Sequence, residues 1–301
     1  MSAIIWQSVS LFFMIFLGFI MKRIGFLTKS DGTMIAQIIM NVTLPAVIIV
    51  NFATITIEKT LLLFTIGGFL WFVLQLTIAF CYTRHRERTS KVLFLFGTSG
   101  FNIGNFTLPF VQSVAPLGIP LVSMFDVGNN LLLSGANKII VDRMIGDSKK
   151  IKIKSSLIKL AKSVPFMSYL IMFIIRYFEW SLPEFVLTLA QPAAASNVFL
   201  SMFMIGLYLE FRLPKDSIKE VVEVLLLRYG LGAIMITLIA FSPLDNLTKS
   251  MLSLLALTPI PLFSIMLAVV SGVKEEVLGF AASISFLVSL PLMTLVLLIF
   301  H

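Results

Sequence analysis

Residues 102–109 read NIGNFTLP and residues 258–261 read TPIP, and each stretch lies inside a long apolar run. Proline removes a backbone donor and clashes with the preceding helical turn, while Gly104 and Asn105 lower the helix propensity nearby. We therefore expect both helices to break in the middle. Within a membrane, unwound backbone is tolerated only where protein or a water-lined cavity satisfies its polar groups, so paired breaks indicate a binding site. Either stretch alone would more simply be a proline kink.

The chain has the composition of an integral membrane protein. Its residues are 58% hydrophobic and 13% charged, and its mean hydropathy is +1.01, which excludes a soluble domain because one core could not bury so much apolar surface. Segments of roughly 20 apolar residues can cross the hydrocarbon as helices. Ten such segments lie near residues 3–21, 34–53, 60–82, 91–113, 117–140, 162–180, 185–209, 221–242, 249–270 and 276–300. An even number of spans places both termini on one side.

Basic residues are distributed unevenly among the gaps between these segments. Of the 23 Lys and Arg residues, only Lys59, Arg176 and Lys249 fall outside every second gap and its adjoining helix ends. Because cytoplasmic loops collect Lys and Arg, the basic gaps are predicted to face the cytoplasm and both termini the outside of the cell membrane. The net charge of +8 then reflects basic residues beside lipid headgroups. The expected partners are membrane lipids, and no nucleic acid.

A central polar segment divides the chain into two halves of five spans. Because five is odd, the halves must have opposite orientation, which is typical of inverted-repeat transporters. The predicted units are an N-terminal five-helix repeat at 1–141, a basic cytoplasmic loop at 142–161 and a C-terminal inverted repeat at 162–301. Pro45 in span two and Pro192 in span seven, each followed by alanine, lie at matching places of the two halves, and a break is expected at Pro45.

The span-four stretch resembles the signature of the auxin efflux carrier family, approximately Asn-x-Gly-x-x-Gly-x-Pro. Asn102, Gly104 and Pro109 match this pattern, whereas Thr107 stands at the second glycine. The chain is similar to the short bacterial members, which carry malate, malonate or related carboxylates. The resemblance implies a ten-helix, all-α fold of two inverted five-helix repeats, in which broken helices four and nine cross. It also implies alternating-access transport of organic anions, driven by protons or by exchange.

The predicted substrate site lies around these breaks. Side-chain amides can donate to substrate oxygens without adding charge, and half-helices that begin inside a membrane present free N–H groups to an anion. The same amides would alternatively satisfy backbone freed by the breaks. Thr258 and Ser264 are weaker candidates, since hydroxyls inside helices often bond to their own backbone. The predicted substrate-binding residues are Asn41, Pro45, Asn102, Gly104, Asn105, Thr107, Pro109, Pro259 and Pro261.

Asp126 is the candidate for proton coupling. It lies about ten residues into span five and has no Lys or Arg within a helical turn. Burying an acid at that depth of the membrane costs free energy, so such a residue normally faces a cavity, a partner or an ion path. A carboxyl that gains and loses a proton there can couple substrate movement to a proton gradient. The alternatives are a neutral structural aspartate and one hydrated near the outer surface.

Other polar residues within the spans have simpler explanations. Polar residues flank Pro45 and Pro192 at equivalent places, which suggests a shared cavity lining, although an interhelical hydrogen bond is the simpler role for any one of them; they are Asn41, Asn51, Gln191 and Asn197. Lys138 could attract anions toward an inward-open cavity, but extension of its side chain to the interface is the simpler expectation. Arg228 is expected to extend in the same way or to pair with Glu223 on its own helix.

Enzymes and channels fit the sequence less well. The only histidines are His85 and His301, and no metal-ligand spacing, phosphate-binding loop or nucleophile beside a base is present. No cofactor or metal site is therefore predicted. A channel would need repeated carbonyl loops or rings of like charge. A transporter-like sensor, a homodimer and coupling to sodium, which unwound carbonyls can coordinate, stay open.

Overall fold

The computed structural model describes residues 2–53, 55, 59–146, 158, 160–212 and 215–300. The regular structure of these residues is entirely helical, as predicted. The principal helices are α1 Ser2–Arg23, α2 Lys29–Phe52, α3 Lys59–Thr83, α4 Arg88–Thr98, α5 Leu108–Val114, α6 Pro116–Met144, α7 Val164–Tyr177, α8 Glu184–Tyr208, α9 Ile218–Ala240, α10 Asn246–Ala256, α11 Leu262–Val270 and α12 Glu275–Phe300.

Seven helices of the described residues are long and apolar enough to cross a membrane, namely α1, α2, α3, α6, α8, α9 and α12. The chain is therefore a multi-span helical membrane protein. The other three predicted spans coincide with the interrupted pairs α4–α5 and α10–α11 and with the shorter helix α7. Ten spans, their inverted arrangement and the side of the termini stay predictions. The basic loop predicted at 142–161 falls mostly on residues 147–157 and 159, which lie outside the described residues.

Both predicted helix breaks are present, but the first begins earlier than expected. Between α4 and the wide turn Ile103–Thr107, residues 99–102 are unwound. Gly100 has a φ of +81° there, a conformation that glycine adopts without steric cost. The second break covers residues 257–261, between α10 and α11. These two segments are called the first break and the second break below.

Pro45 does not break its helix, so the break expected there is wrong, and its counterpart Pro192 does not break its helix either. In α2, the wide turn Ile39–Thr43 lets the amide of Leu44 donate to Ile39 O just before Pro45. Such π-helical turns shift the hydrogen-bonding register by one residue and so accommodate a residue that cannot donate. Pro192 lies inside the continuous helix α8. The second π-helical turn, at Ile103–Thr107, precedes Pro109 in the same way.

Two pairs of helices pack with their backbones almost in contact. A Cβ added to Gly128 of α6 would lie 1.9 Å from the carbonyl oxygen of Thr65 of α3, and Gly68 meets α6 equally closely. Gly18 of α1 and Gly206 of α8 form a second contact of this kind. Small residues permit such close packing of membrane helices. The first contact fixes the position of α6, which carries Asp126, against α3.

Candidate functional site

The two breaks touch each other directly. The backbone amide of Asn102 donates to Pro259 O at 3.3 Å, and its side-chain amide donates to Ile260 O, also at 3.3 Å. Asn102 is buried, with 3% of its surface exposed. One residue of the first break thus holds the backbone of the second break through two hydrogen bonds.

Arg228 of α9 joins the two breaks from the other side. It is 1% exposed, and the five N–H groups of its guanidinium make six donor–acceptor contacts of 2.8–3.2 Å, with one Nη2 hydrogen shared between two carbonyls. The acceptors are the carbonyl oxygens of Gly97, Thr98, Gly100, Thr258 and Pro259, of which Thr258 accepts two. Hydrogen bonds to charged groups contribute about 1.5–3 kcal/mol each. Together they offset a burial penalty of several kcal/mol for the charge.

The two roles expected for Arg228 at the surface are therefore wrong. Its guanidinium is buried, and Glu223 instead accepts hydrogen bonds from Arg86 and Tyr82. The physical reason is that unwound segments carry carbonyls without helical partners. A planar guanidinium with five N–H donors can satisfy several of these at once.

Helix α12 supports the second break. Ser285 Oγ accepts from the amide of Ile260 at 3.0 Å, and Ser289 Oγ donates to Leu257 O at 2.5 Å. Tyr229, the neighbour of Arg228, donates its hydroxyl to Ser285 O at 2.9 Å. The second break is thus held by polar groups of α9 and α12.

Asn129 of α6 holds the first break and connects it to Asp126. Its side chain accepts from the amide of Phe101 at 3.2 Å and donates to Phe101 O at 3.1 Å. It also donates to Asp126 Oδ1 at 3.1 Å, while Tyr169 donates its hydroxyl to Asp126 Oδ2 at 3.4 Å. With 2% of its surface exposed, Asp126 is buried rather than hydrated at an outer surface.

A cavity of about 360 Å³ lies beside the first break. Among the predicted site residues, Asn102, Gly104, Asn105, Asp126 and Pro261 line it. The other described lining residues are Met40, Leu44, Phe101, Ile103, Asn130, Leu133, Ser134, Ser163, Pro165, Leu262, Phe263 and Met266. Asp126 is the one carboxylate of this described lining, which is otherwise amide, hydroxyl and apolar.

Asn105 presents an unused polar atom at this cavity. Its side-chain oxygen is buried and has no hydrogen-bond partner among the described residues. A buried polar group without a partner is costly, so a ligand or water that bonds to it gains free energy. The side-chain oxygen of Asn105 is therefore an acceptor available to a donor group, such as a water or a ligand hydroxyl.

The remaining predicted site residues lie outside the lining of the cavity. Thr107 bonds to Asn102 O through its amide at 3.1 Å and its hydroxyl at 3.4 Å, so it closes the turn after the first break. Pro45 and Pro109 are buried, and Pro259 provides a carbonyl to Arg228. Asn41 is exposed and donates to Gln37 O. The contacts described for these residues lie within the protein, and their assignment to substrate binding stays a prediction.

Some site residues were not anticipated from the sequence. Asn129 follows Asp126 by three residues, a spacing that places both on one face of a helix and could have identified the pair. Gly100 and Phe101 lie just before the stretch that matched the family pattern. Ser285 has no distinguishing local signal, because its role depends on a contact with Ile260 far away in the sequence.

A second crevice, of about 420 Å³, lies between α3, α6, α9 and α10. It is larger, but its walls are almost wholly apolar, with Trp71, Phe125 and Leu252 among its lining residues. Binding sites for polar solutes need a few convergent polar groups. The smaller cavity at the breaks is therefore the candidate functional site.

One known protein is similar to the chain over nearly its whole length. The chain is 23% identical over 299 residues, 96% of this chain and 97% of the other, to a protein of Methanothermobacter thermautotrophicus (strain Delta H) named an uncharacterized transporter. The chain is a distant homologue of that transporter. The relative's name agrees with the prediction that the chain is not an enzyme. No protein-family model matches the chain, so the resemblance to the auxin efflux carrier family stays a prediction.

Proposed function

We propose that the chain is a secondary transporter that moves small organic anions, such as malate or an auxin-like acid, across the cell membrane by alternating access. The observation that carries this proposal is the cavity of about 360 Å³ at the contact between two helix breaks. Its size suits a small solute. Its amides can bind carboxylate oxygens, and the full-length similarity to a protein named a transporter supports movement of the solute.

Asp126 supports coupling to protons within this proposal. It is the one carboxylate of the described cavity lining, and it accepts hydrogen bonds from Asn129 and Tyr169. A buried carboxyl can exist in a charged and a neutral form that bond differently to these partners. Release of its proton to one side and uptake from the other would couple substrate movement to the gradient. Exchange of one anion for another needs no such step.

Counterflow in proteoliposomes tests the proposal. Vesicles are loaded with unlabelled malate, labelled malate is added outside, and a panel of mono- and dicarboxylates competes for uptake. We expect saturable accumulation that Asn102→Ala reduces by about tenfold or more, because the side chain lines the cavity and bonds to the second break. Asn41→Ala is the matched control, since Asn41 is exposed and bonds to its own helix.

Binding without movement would identify a receptor instead. A panel member that raises the melting temperature of the purified protein but is never accumulated would indicate a sensor that uses the same cavity. Folded protein that neither binds nor accumulates any member of the panel would overturn the carboxylate proposal.

A further inference from the structure

The carbonyl groups around Arg228 form an arrangement that ordinarily holds a metal cation. Five backbone carbonyl oxygens converge on one positive centre, two from the last turn of α4, one from the first break and two from the second break. In transporters with discontinuous helices, unwound carbonyls of this kind coordinate Na⁺. Here a guanidinium fixed to α9 occupies the centre.

We propose that Arg228 is a built-in cation, which joins the two breaks permanently and takes the place of a bound coupling ion at their contact. Arg228 is thus a positioning residue for the site. This inference rests on the proposed transport function and adds two properties to it. Transport needs no sodium at this place, and the protein supplies a fixed positive charge beside the substrate cavity.

The charge of Arg228 has no carboxylate hydrogen-bonded to it within the described residues. The closest acid in its hydrogen-bond network is Asp126. Arg228 donates to Gly100 O. The N–H of the same peptide group belongs to Phe101 and donates to Asn129, which in turn donates to Asp126. The donors of this series are all directed from Arg228 toward Asp126, which lines the cavity, and hydrogen bonds in such a series polarise one another.

This polarity favours an anionic substrate. When Asp126 is protonated, the positive charge of Arg228 is left without a compensating negative charge in the network. A carboxylate in the cavity would then restore the balance, whereas a neutral solute of the same shape would not. The inferred substrate class is therefore a small anion, bound when Asp126 is neutral.

Removal of the guanidinium should leave an empty carbonyl cluster. We expect Arg228→Ala to slow malate counterflow by about 100-fold or more, because several buried carbonyls lose their donors. Millimolar guanidinium chloride should restore part of the activity and of the melting temperature, since the free ion has the same donors. Sodium chloride should also raise the melting temperature of this variant above its value in choline chloride, and should not do so for the wild type.

Two further variants keep the test interpretable. Arg228→Lys keeps the charge but replaces the planar donors with a compact ammonium group, so we expect a folded protein with intermediate activity. Arg176→Ala is the matched control. Arg176 also donates to backbone carbonyls, those of Ile55 and Trp180, but it is only partly buried. Guanidinium should not rescue that variant.

Three results would overturn the inference. The first is counterflow by Arg228→Ala at the rate of the unmutated protein, and the second is a requirement for sodium in counterflow by the unmutated protein. The third is an equal gain of activity and melting temperature on adding guanidinium to the Arg228→Ala and Arg176→Ala variants. Failure of the proposed function is distinguishable from these results. If the wild type carries no anion of the panel while guanidinium still restores the melting temperature of Arg228→Ala, the built-in cation stands and the carboxylate transporter does not.

Discussion

The first break, residues 99–102, and the second break, residues 257–261, lie against each other but offer different groups. The first break contains a glycine with positive φ and an asparagine whose side chain lines the cavity. The second contains two prolines, and it provides carbonyl oxygens to Arg228 and to Asn102. Two breaks that lie at similar positions within their apolar segments can therefore have different roles. Pro261 of the second break also lines the cavity and Gly100 of the first break also bonds to Arg228, but we expect recognition to depend more on the first break and anchoring more on the second.

The strongest test of this comparison removes the support of the first break. Asn129→Leu keeps a similar volume but deletes both hydrogen bonds to Phe101 and the one to Asp126. Since buried unpaired groups cost about 1–3 kcal/mol each, we expect a loss of about 2–5 kcal/mol of stability and of nearly all counterflow. Thermal unfolding in detergent and the counterflow assay measure the two effects. Asn51→Leu is the control, because Asn51 donates only to Val47 O of its own helix.

The next largest effect is expected from Asp126→Asn. The amide keeps the shape of the side chain but cannot exchange a proton, so uptake driven by an imposed pH gradient should fall by about tenfold or more while anion exchange persists. Uptake is measured across a pH gradient and by counterflow in the same vesicles. Glu184→Gln, at an exposed acid that begins α8, should leave both unchanged. Gradient-driven uptake by Asp126→Asn at the wild-type rate would remove the coupling role.

Ser285→Ala tests the second break. It removes the acceptor for the amide of Ile260. Because the buried amide of Ile260 loses its acceptor, we expect a loss of about 1–3 kcal/mol of stability, with counterflow of malate changed by less than about twofold. Ser168→Ala, which deletes an exposed hydroxyl bonded to Val164 O, is the control for stability. A large loss of transport without a loss of stability would show that the second break also takes part in recognition.

The smallest effect is expected from Gly104→Ala, which narrows the cavity. The added Cβ would lie 2.9 Å from Leu44 Cδ2, the end of a flexible side chain, and 4.0 Å from Asp126 Oδ2. Leu44 can shift, so we expect a stability change below about 1 kcal/mol. Competition by the longest acids of the panel should weaken a few-fold relative to the shortest. Uniform weakening across the panel would contradict a role for Gly104 in cavity size.

Much of the fold could be predicted from local signals. Long apolar runs predicted the membrane helices, and the prolines and glycines at 102–109 and 258–261 predicted both interruptions. The same reasoning failed at Pro45, because a π-helical turn absorbed the missing donor. Proline thus indicates where a helix must adapt, and its surroundings decide whether it breaks.

The contacts of the site were less predictable, because they join distant parts of the sequence. Arg228 lies in an apolar run beside Leu227 and Tyr229, and a local window contains no acceptor that would explain its burial. Its partners lie near residues 97–100 and 258–259 and meet only in the folded protein. Asp126 could be identified from the sequence, because the free-energy cost of placing an acid in hydrocarbon depends on the residue itself and not on distant partners.

The glycine contact between α3 and α6 limits which motions can open the cavity. At Gly128 the two backbones are so close that no side chain fits between them. Sliding or rolling α6 against α3 by a fraction of a turn would drive another side chain into the carbonyl of Thr65. The two helices are therefore expected to move as one rigid body. Any displacement that carries Asp126 toward either face of the membrane must therefore carry α3 as well. The sliding between helices must then occur where α3 and α6 pack less closely against the other helices.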